Sequence, residues 1–565
     1  MERMFRNHRV RSSRTIDGLW EFAKTEGAPS ATGLGRLGFD YRLMVPGCWE
    51  AHPELRTYRG QGVYRRRVRI ERSGPARLEF KGVSHTARVY WDGKEIASHY
   101  NAYTAFSVIV PDAPAGEHEL LVWVDNSFGE FSSLHVPNDY YTYGGLIRPV
   151  VLEELEGPFV ERAAFTPSGE DGAWKGRLAI TLANPSAAAG EVRPEAELAG
   201  RKLEWDPVRI EAGETIVLGG EYDFPGAESW SPEKPTLHEL SVRLLDGETG
   251  RAIDDWIDRI GFRTVSAKNG RIQLNGRDIV LKGFNRHEDH PMAGAALTPE
   301  LMNQDIDLML DMGANMVRTS HYPNDERFLD LCDERGLLVW EENHARGLSI
   351  EQMRNPNFVW QCEQVNREMA TQHYNRPSII VWAILNECAS DCEEGRVHYK
   401  RQLEQLRALD SSRPLTFASH HREKEICFDL ADIVSFNLYP GWYTDEDPGE
   451  LCDRARGWAD ASGGAGKPMI MSEFGADGYY GLRDPSRVRG TEERQADILE
   501  ANLAAYAARP YLSGMLIWQF CDCRVTEDTG WLLTRAGTQN SKGVVDRYRR
   551  PKLAYSVVRR FFRTI

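Results

Sequence analysis

From about residue 269 onward, short apolar runs alternate with helical stretches, and this rhythm limits the possible folds more than any other feature of the chain. The runs lie at 279–284, 315–319, 337–342, 379–387, 415–419, 433–439, 469–473 and 515–520, eight in all. Eight buried strands with intervening helices predict a (β/α)₈ barrel, in a stretch slightly longer than the ~250 residues typical of that fold. A doubly wound open sheet is the alternative, but no glycine-rich phosphate fingerprint follows the first run. Thr298-Pro299-Glu300 reads as a cap followed by Pro in the first helical turn. Leu301, Met302, Ile306, Met309 and Leu310 then recur on one face until Gly313.

Upstream the pattern is different. Runs at 63–70, 77–83, 87–91, 104–110 and 119–124 are separated by turn residues, among them the hairpin dipeptide Asp92-Gly93. These predict a β-sandwich. The segment Asn138-Asp139-Tyr140-Tyr141-Thr142-Tyr143-Gly144-Gly145-Leu146 breaks the pattern and reads as an ordered loop. A second β region, with runs at 177–182, 215–218 and 240–245, has the length of an immunoglobulin-like sandwich of ~100 residues. The expected units are therefore residues 1–156, 157–265 and 266–565.

Charge and cysteine usage narrow the function. Lys and Arg total 69 against 84 Asp and Glu, a net of −15, which argues against nucleic acid or an anionic membrane as partner. No apolar run approaches the ~20 residues of a membrane span, and residues 1–8 lack the apolar core of a signal peptide, so a cytoplasmic protein is expected. The nine cysteines are scattered, and the pairs Cys388/Cys392 and Cys521/Cys523 lack the spacing of a zinc knuckle. Neither a disulfide framework nor a metal site is expected; small buried apolar side chains are.

In a barrel, chemistry belongs at the carboxyl ends of the strands, where apolar runs turn polar. Strand four runs into Asn386-Glu387 and strand seven into Ser472-Glu473-Phe474-Gly475, which places two glutamates on roughly opposite sides of the mouth. Two opposed carboxyl groups suit glycoside hydrolysis: one protonates the leaving oxygen, the other attacks the anomeric carbon or activates water. Asn285-Arg286-His287-Glu288, Arg318-Thr319-Ser320-His321-Tyr322, Glu341-Glu342-Asn343, Asn437-Leu438-Tyr439 and Trp518 fall at other strand ends and supply donors, acceptors and aromatic faces for a sugar ring.

The three-part order, with Asn-Arg-His-Glu-Asp from Asn285, Arg-Thr-Ser-His-Tyr-Pro from Arg318 and the two glutamate motifs in sequence, resembles family-2 glycoside hydrolases over essentially the whole chain. The resemblance implies a jelly-roll domain, an immunoglobulin-like domain and a catalytic barrel. It also implies Glu387 as acid/base, Glu473 as nucleophile of a retaining mechanism, and no cofactor. Two positions depart from the family pattern: Arg376 stands where His is usual, and Gln519 where Asn or Asp is usual.

Within that family, Asn540-Ser541-Lys542 resembles the Asn-x-Lys motif with which β-glucuronidases hold the sugar's C6 carboxylate, an anion that a Lys ammonium and an amide donor favour. The resemblance further implies sugar contacts from Asp139, His321, Asn386, Asn437, Tyr439, Tyr443 and Trp518, and from Arg535, which lies one place from the family arginine. A retaining exo-β-glucuronidase acting on β-D-glucuronides is the implied function. A β-galacturonidase, a β-galactosidase or a non-catalytic carbohydrate-binding relative are the alternatives. The family also implies a homodimer or homotetramer. The short segment between Gly347 and Phe358 predicts an open mouth that accepts bulky aglycones.

Overall fold

A computed structural model describes residues 2–28, 37–527 and 530–564. The first unit packs a four-stranded antiparallel sheet against a six-stranded one. Its backbone is the ten-residue pairing of Gln61–Ile70 with Gly116–Asp125, and Trp20, Phe22, Leu78, Phe80, Val122 and Leu152 fill the space between the sheets. The second unit also holds two sheets. Alternation explains its strand Ala173–Ala183, in which Trp174, Leu178, Ile180 and Leu182 are buried while the residues between them are more exposed. No predicted site residue lies in it.

The third unit is the barrel. Strand one, Leu281–Asn285, pairs in parallel with both strand two, Met316–Arg318, and strand eight, Leu512–Ile517, which closes the ring. Strands three, four, six and seven are Leu338–Glu342, Ile379–Ala383, Val434–Asn437 and Met469–Phe474. Strand five is broken at Phe417: Leu415–Thr416 pairs with strand four, Ala418–Ser419 with strand six. Large apolar side chains such as Trp340, Ile380, Ile470 and Leu516 fill the interior, and Ile272 and Leu274 of a preceding three-stranded sheet pack into the same cluster.

Several boundaries differ from expectation. The first apolar run is two elements, because Ile279 ends the small sheet and the barrel strand begins at Leu281. Strand eight starts at Leu512, not residue 515. Strand four stops at Ala383, so Glu387 lies on the loop beyond it with φ +53. The helix Pro299–Asp311 carries Pro in its first turn as expected, although the Thr298 side chain makes no capping bond. All nine cysteines are free, and all but Cys392 are buried. Among the described residues no helix is long and apolar enough to cross a membrane.

Candidate active site

A cavity of about 310 Å³ opens at the carboxyl ends of the barrel strands, and both glutamates line it. So do Asn437, Tyr439 and Tyr443 after strand six, Trp518 after strand eight, Arg535 and Lys542 from the C-terminal segment, and Asp139 from the first unit. His321, Asn386 and Asn540 are fully buried beside it and hold the lining residues in place. Asp139 reaches the barrel because its loop is tied there. Arg346 Nη1 donates to Asn138 Oδ1 at 2.6 Å, and Tyr140 Oη bonds His344 Nε2 at 3.0 Å.

Glu473 sits at the end of strand seven, buried. Arg318 Nη1 donates to its Oε1 at 2.7 Å and Tyr439 Oη to its Oε2 at 2.7 Å. Arg318 is the hub of the floor. It also donates to both oxygens of Glu342, at 2.8 and 3.0 Å, and to Asn285 Oδ1 and Asn386 Oδ1, each at 2.7 Å. Burial pushes the Glu473 carboxyl up to about 8; Arg318 and Tyr439 pull it down and the charge of Glu387 adds to the rise. The donors around Glu473 therefore do not offset its burial. The nucleophile role expected for Glu473 from the sequence needs the ionised form, so for that role kcat/KM should rise with pH along an acid limb well above the ~4.3 of an ordinary glutamate. A kcat/KM profile against pH checks this; a limb near the ordinary value would contradict it.

Glu387 is held differently. Asn437 Nδ2 donates to its Oε1 at 3.0 Å, while Arg346 Nη2 and His420 Nδ1 stand 3.5 and 3.8 Å from its Oε2. Asn437 also donates to Asn386 Oδ1 at 3.0 Å and accepts from Ser472 at 2.8 Å. Asn386 Nδ2 is buried with no acceptor among the described residues, a donor left over beside the two glutamates. His321 stacks on Trp518 at 5.1 Å and bonds Glu342 Oε1 through Nδ1 at 2.7 Å. Burial, with Arg318 adding, drives its pKa well down.

The third group lies around Lys542. Asn540 Nδ2 and Arg535 Nη2 donate to Asp139 Oδ2 at 3.1 and 2.9 Å, and Arg346 stands 3.4 Å from Oδ1. Burial opposes the charge of Asp139, but Arg346 and Arg535 hold the carboxyl well below its usual range. Lys542 is buried, donates to Asp477 Oδ1 at 3.1 Å and faces the rings of Trp442 and Tyr443 at 5.1 and 5.3 Å.

All the predicted residues converge, but sequence reasoning missed Arg346, His420, Asp477 and Trp531. Arg346, His420 and Trp531 line the cavity, and Asp477 pairs with Lys542 behind it. His420 directly follows strand five and was open to the strand-end rule; Arg346 and Asp477 sit further along their loops, where that rule gives no signal. The short segment after Gly347 forms one capped turn, Ile350–Met353. Asn355 and Asn357 then donate to the carbonyl of Glu130 in the first unit, which ties the segment to that unit.

A model described as "Glycosyl hydrolases family 2, TIM barrel domain" matches residues 265–565. A crystal structure of a β-galacturonidase from Eisenbergiella tayi bound to galacturonate is 45% identical, covers 100% of this chain and 99% of that one, and superposes with a TM-score of 0.94. A β-glucuronidase from Streptococcus agalactiae is 27% identical over 99% of this chain and 97% of its own length. The Bifidobacterium dentium β-glucuronidase complexed with coumarin-3-O-glucuronide is 26% identical with a TM-score of 0.86, covering 98% and 97%.

Proposed function

Because the chain belongs to glycosyl hydrolase family 2 and is a glycoside hydrolase, we propose that it is a retaining exo-β-uronidase that releases a terminal β-D-hexuronic acid. The observation that carries this reading is the convergence of two glutamates and the Asn540, Arg535, Lys542 group on one cavity of about 310 Å³. Ionised Glu473 attacks the anomeric carbon while protonated Glu387 donates to the departing aglycone oxygen, leaving a glycosyl ester on Glu473. Glu387 then takes a proton from water as that water attacks the same carbon, and the sugar leaves with its β configuration restored. Arg318 and Tyr439 orient the Glu473 carboxylate, and the spare amide donor of Asn386 suits a sugar hydroxyl. Lys542 and Arg535 favour a C6 carboxylate over the CH₂OH of a neutral hexose.

Glucuronide and galacturonide share that carboxylate and differ only at C4. Similarity to curated β-glucuronidases supports the glucuronide. The 45% identity over the full chain to the β-galacturonidase solved with galacturonate, against 24–30% for the curated β-glucuronidases, supports the galacturonide as the second reading. A matched panel of aryl β-galacturonide, β-glucuronide and β-galactoside tests both levels. Both uronides should far exceed the galactoside, and the ratio between the two assigns the preference at C4; a dominant galactoside would refute the uronidase reading. Lys542→Ala should cost at least about 100-fold in kcat/KM on the uronides and much less on the galactoside, as expected when a charge-assisted contact is removed. Equal losses on all three would make Lys542 merely structural.

A further inference from the structure

The cations offered to the sugar carboxylate have carboxylate partners within the protein. Lys542 Nζ donates to Asp477 Oδ1 at 3.1 Å, and Arg535 Nη1 stands 3.7 Å from Asp477 Oδ2. Arg535 also meets Asp139 Oδ2 at 2.9 Å. Lys542 and Arg535 thus share Asp477, while Arg535 and Arg346 share Asp139. Asp477 is buried four residues beyond Glu473 and does not line the cavity, so it holds Lys542 from behind. Its loop is stitched to the Asn540–Lys542 segment. Gly478 N donates to the Ser541 carbonyl at 3.0 Å, and Gln495 Nε2 donates to the carbonyls of Ala476 and Gly543, each at 3.0 Å.

Any carboxylate oxygen bound to Lys542 Nζ at a normal ~2.9 Å lies within about 6 Å of Asp477 Oδ1, inside the range where like charges act strongly on one another in a buried site. We propose that Asp477 is a specificity-determining residue: a built-in counter-anion beside Lys542 that, by repulsion, limits how tightly the uronate is held, so that the acidic product can leave. This rests on the uronidase reading above. It acts on the sugar's charge alone, because a neutral sugar presents nothing for Asp477 to repel.

The experiment compares inhibition by D-galacturonate and by D-galactose in the wild type, Asp477→Asn, Asp477→Ser and Lys542→Met. Removing the charge while Lys542 stays should lower Ki for galacturonate about tenfold and leave Ki for galactose unchanged, since relief of like-charge repulsion reaches only the anion. Turnover of the uronide should become limited by product, with KM and kcat falling together. Lys542→Met should do the opposite to galacturonate, and Asp477→Glu should restore wild-type behaviour. Unchanged or weaker galacturonate binding in both Asp477 variants, or equal shifts for the two sugars, would overturn the proposal while leaving the uronidase reading intact. A wild type that binds galacturonate no better than galactose would overturn both. The serine variant guards against misfolding of the asparagine one, and an unchanged galactose Ki shows an intact site.

Discussion

Glu473→Ala should lower kcat on the best substrate of the panel by about 10⁴-fold or more, because the proposed glycosyl ester cannot form without the Glu473 carboxylate. The fold should survive. Arg318 keeps Glu342, Asn285 and Asn386 as partners, so no buried cation is orphaned, and the thermal transition should stay close to the wild type. Sodium azide then tells the two glutamates apart. In Glu473→Ala the small anion fits the vacated space and attacks the anomeric carbon directly, giving the α-glycosyl azide with Glu387 still acting as acid. In Glu387→Ala an activated aryl group leaves without help and the ester on Glu473 accumulates. Azide, which needs no general base, then releases it as the β-glycosyl azide. Proton NMR of the azide products reads the anomer. The reverse pattern would exchange the roles of the two residues, and turnover of Glu473→Ala near wild type would end the double-displacement reading.

Why the barrel and its two glutamates were legible, while part of the site was not, comes down to what local sequence can carry. A buried parallel strand must be apolar along its length, so 469–471 and 379–385 stand out, and the first polar residues beyond must face the rim. That logic reaches Glu473, the fifth residue of a six-residue strand. It reaches Glu387 less well, because the strand ends at Ala383 and a left-handed backbone at Leu385 and Glu387 turns the loop back over the mouth. It does not reach Arg346 or Asp477. Their importance lies in partners distant in the chain, Asp139 and Lys542, and no periodicity encodes a pairing across 207 or 65 residues. The same limit applies to charge. Donors around Glu473 were visible as residue types, but the burial that outweighs them exists only once the barrel and first unit have closed over it.

Arg318→Ala is expected to damage both stability and chemistry, and it separates this floor from an ordinary ion pair. The guanidinium is fully buried and its fork serves Glu342, Glu473, Asn285 and Asn386 at once. Among the described residues, its loss leaves the buried Glu342 carboxylate with only His321 and Trp340 as side-chain donors, an imbalance that typically costs about 3–5 kcal/mol. Denaturant unfolding should show it as a lower midpoint for the barrel. Arg318 also lowers the pKa of Glu473, so removing it must shift that carboxyl further up, and the acid limb of kcat/KM should move to higher pH. Arg318→Lys separates the two effects. A lysine restores a positive charge, and with it much of the stability and the position of the limb, but one ammonium cannot reproduce a planar fork. Turnover should therefore stay about 10²–10³-fold down, as when a preorganised donor is removed from a reaction centre. If Arg318→Lys recovered full turnover, the fork would matter only as charge. If Arg318→Ala left the acid limb where it was, Glu473 would not be the group that titrates there.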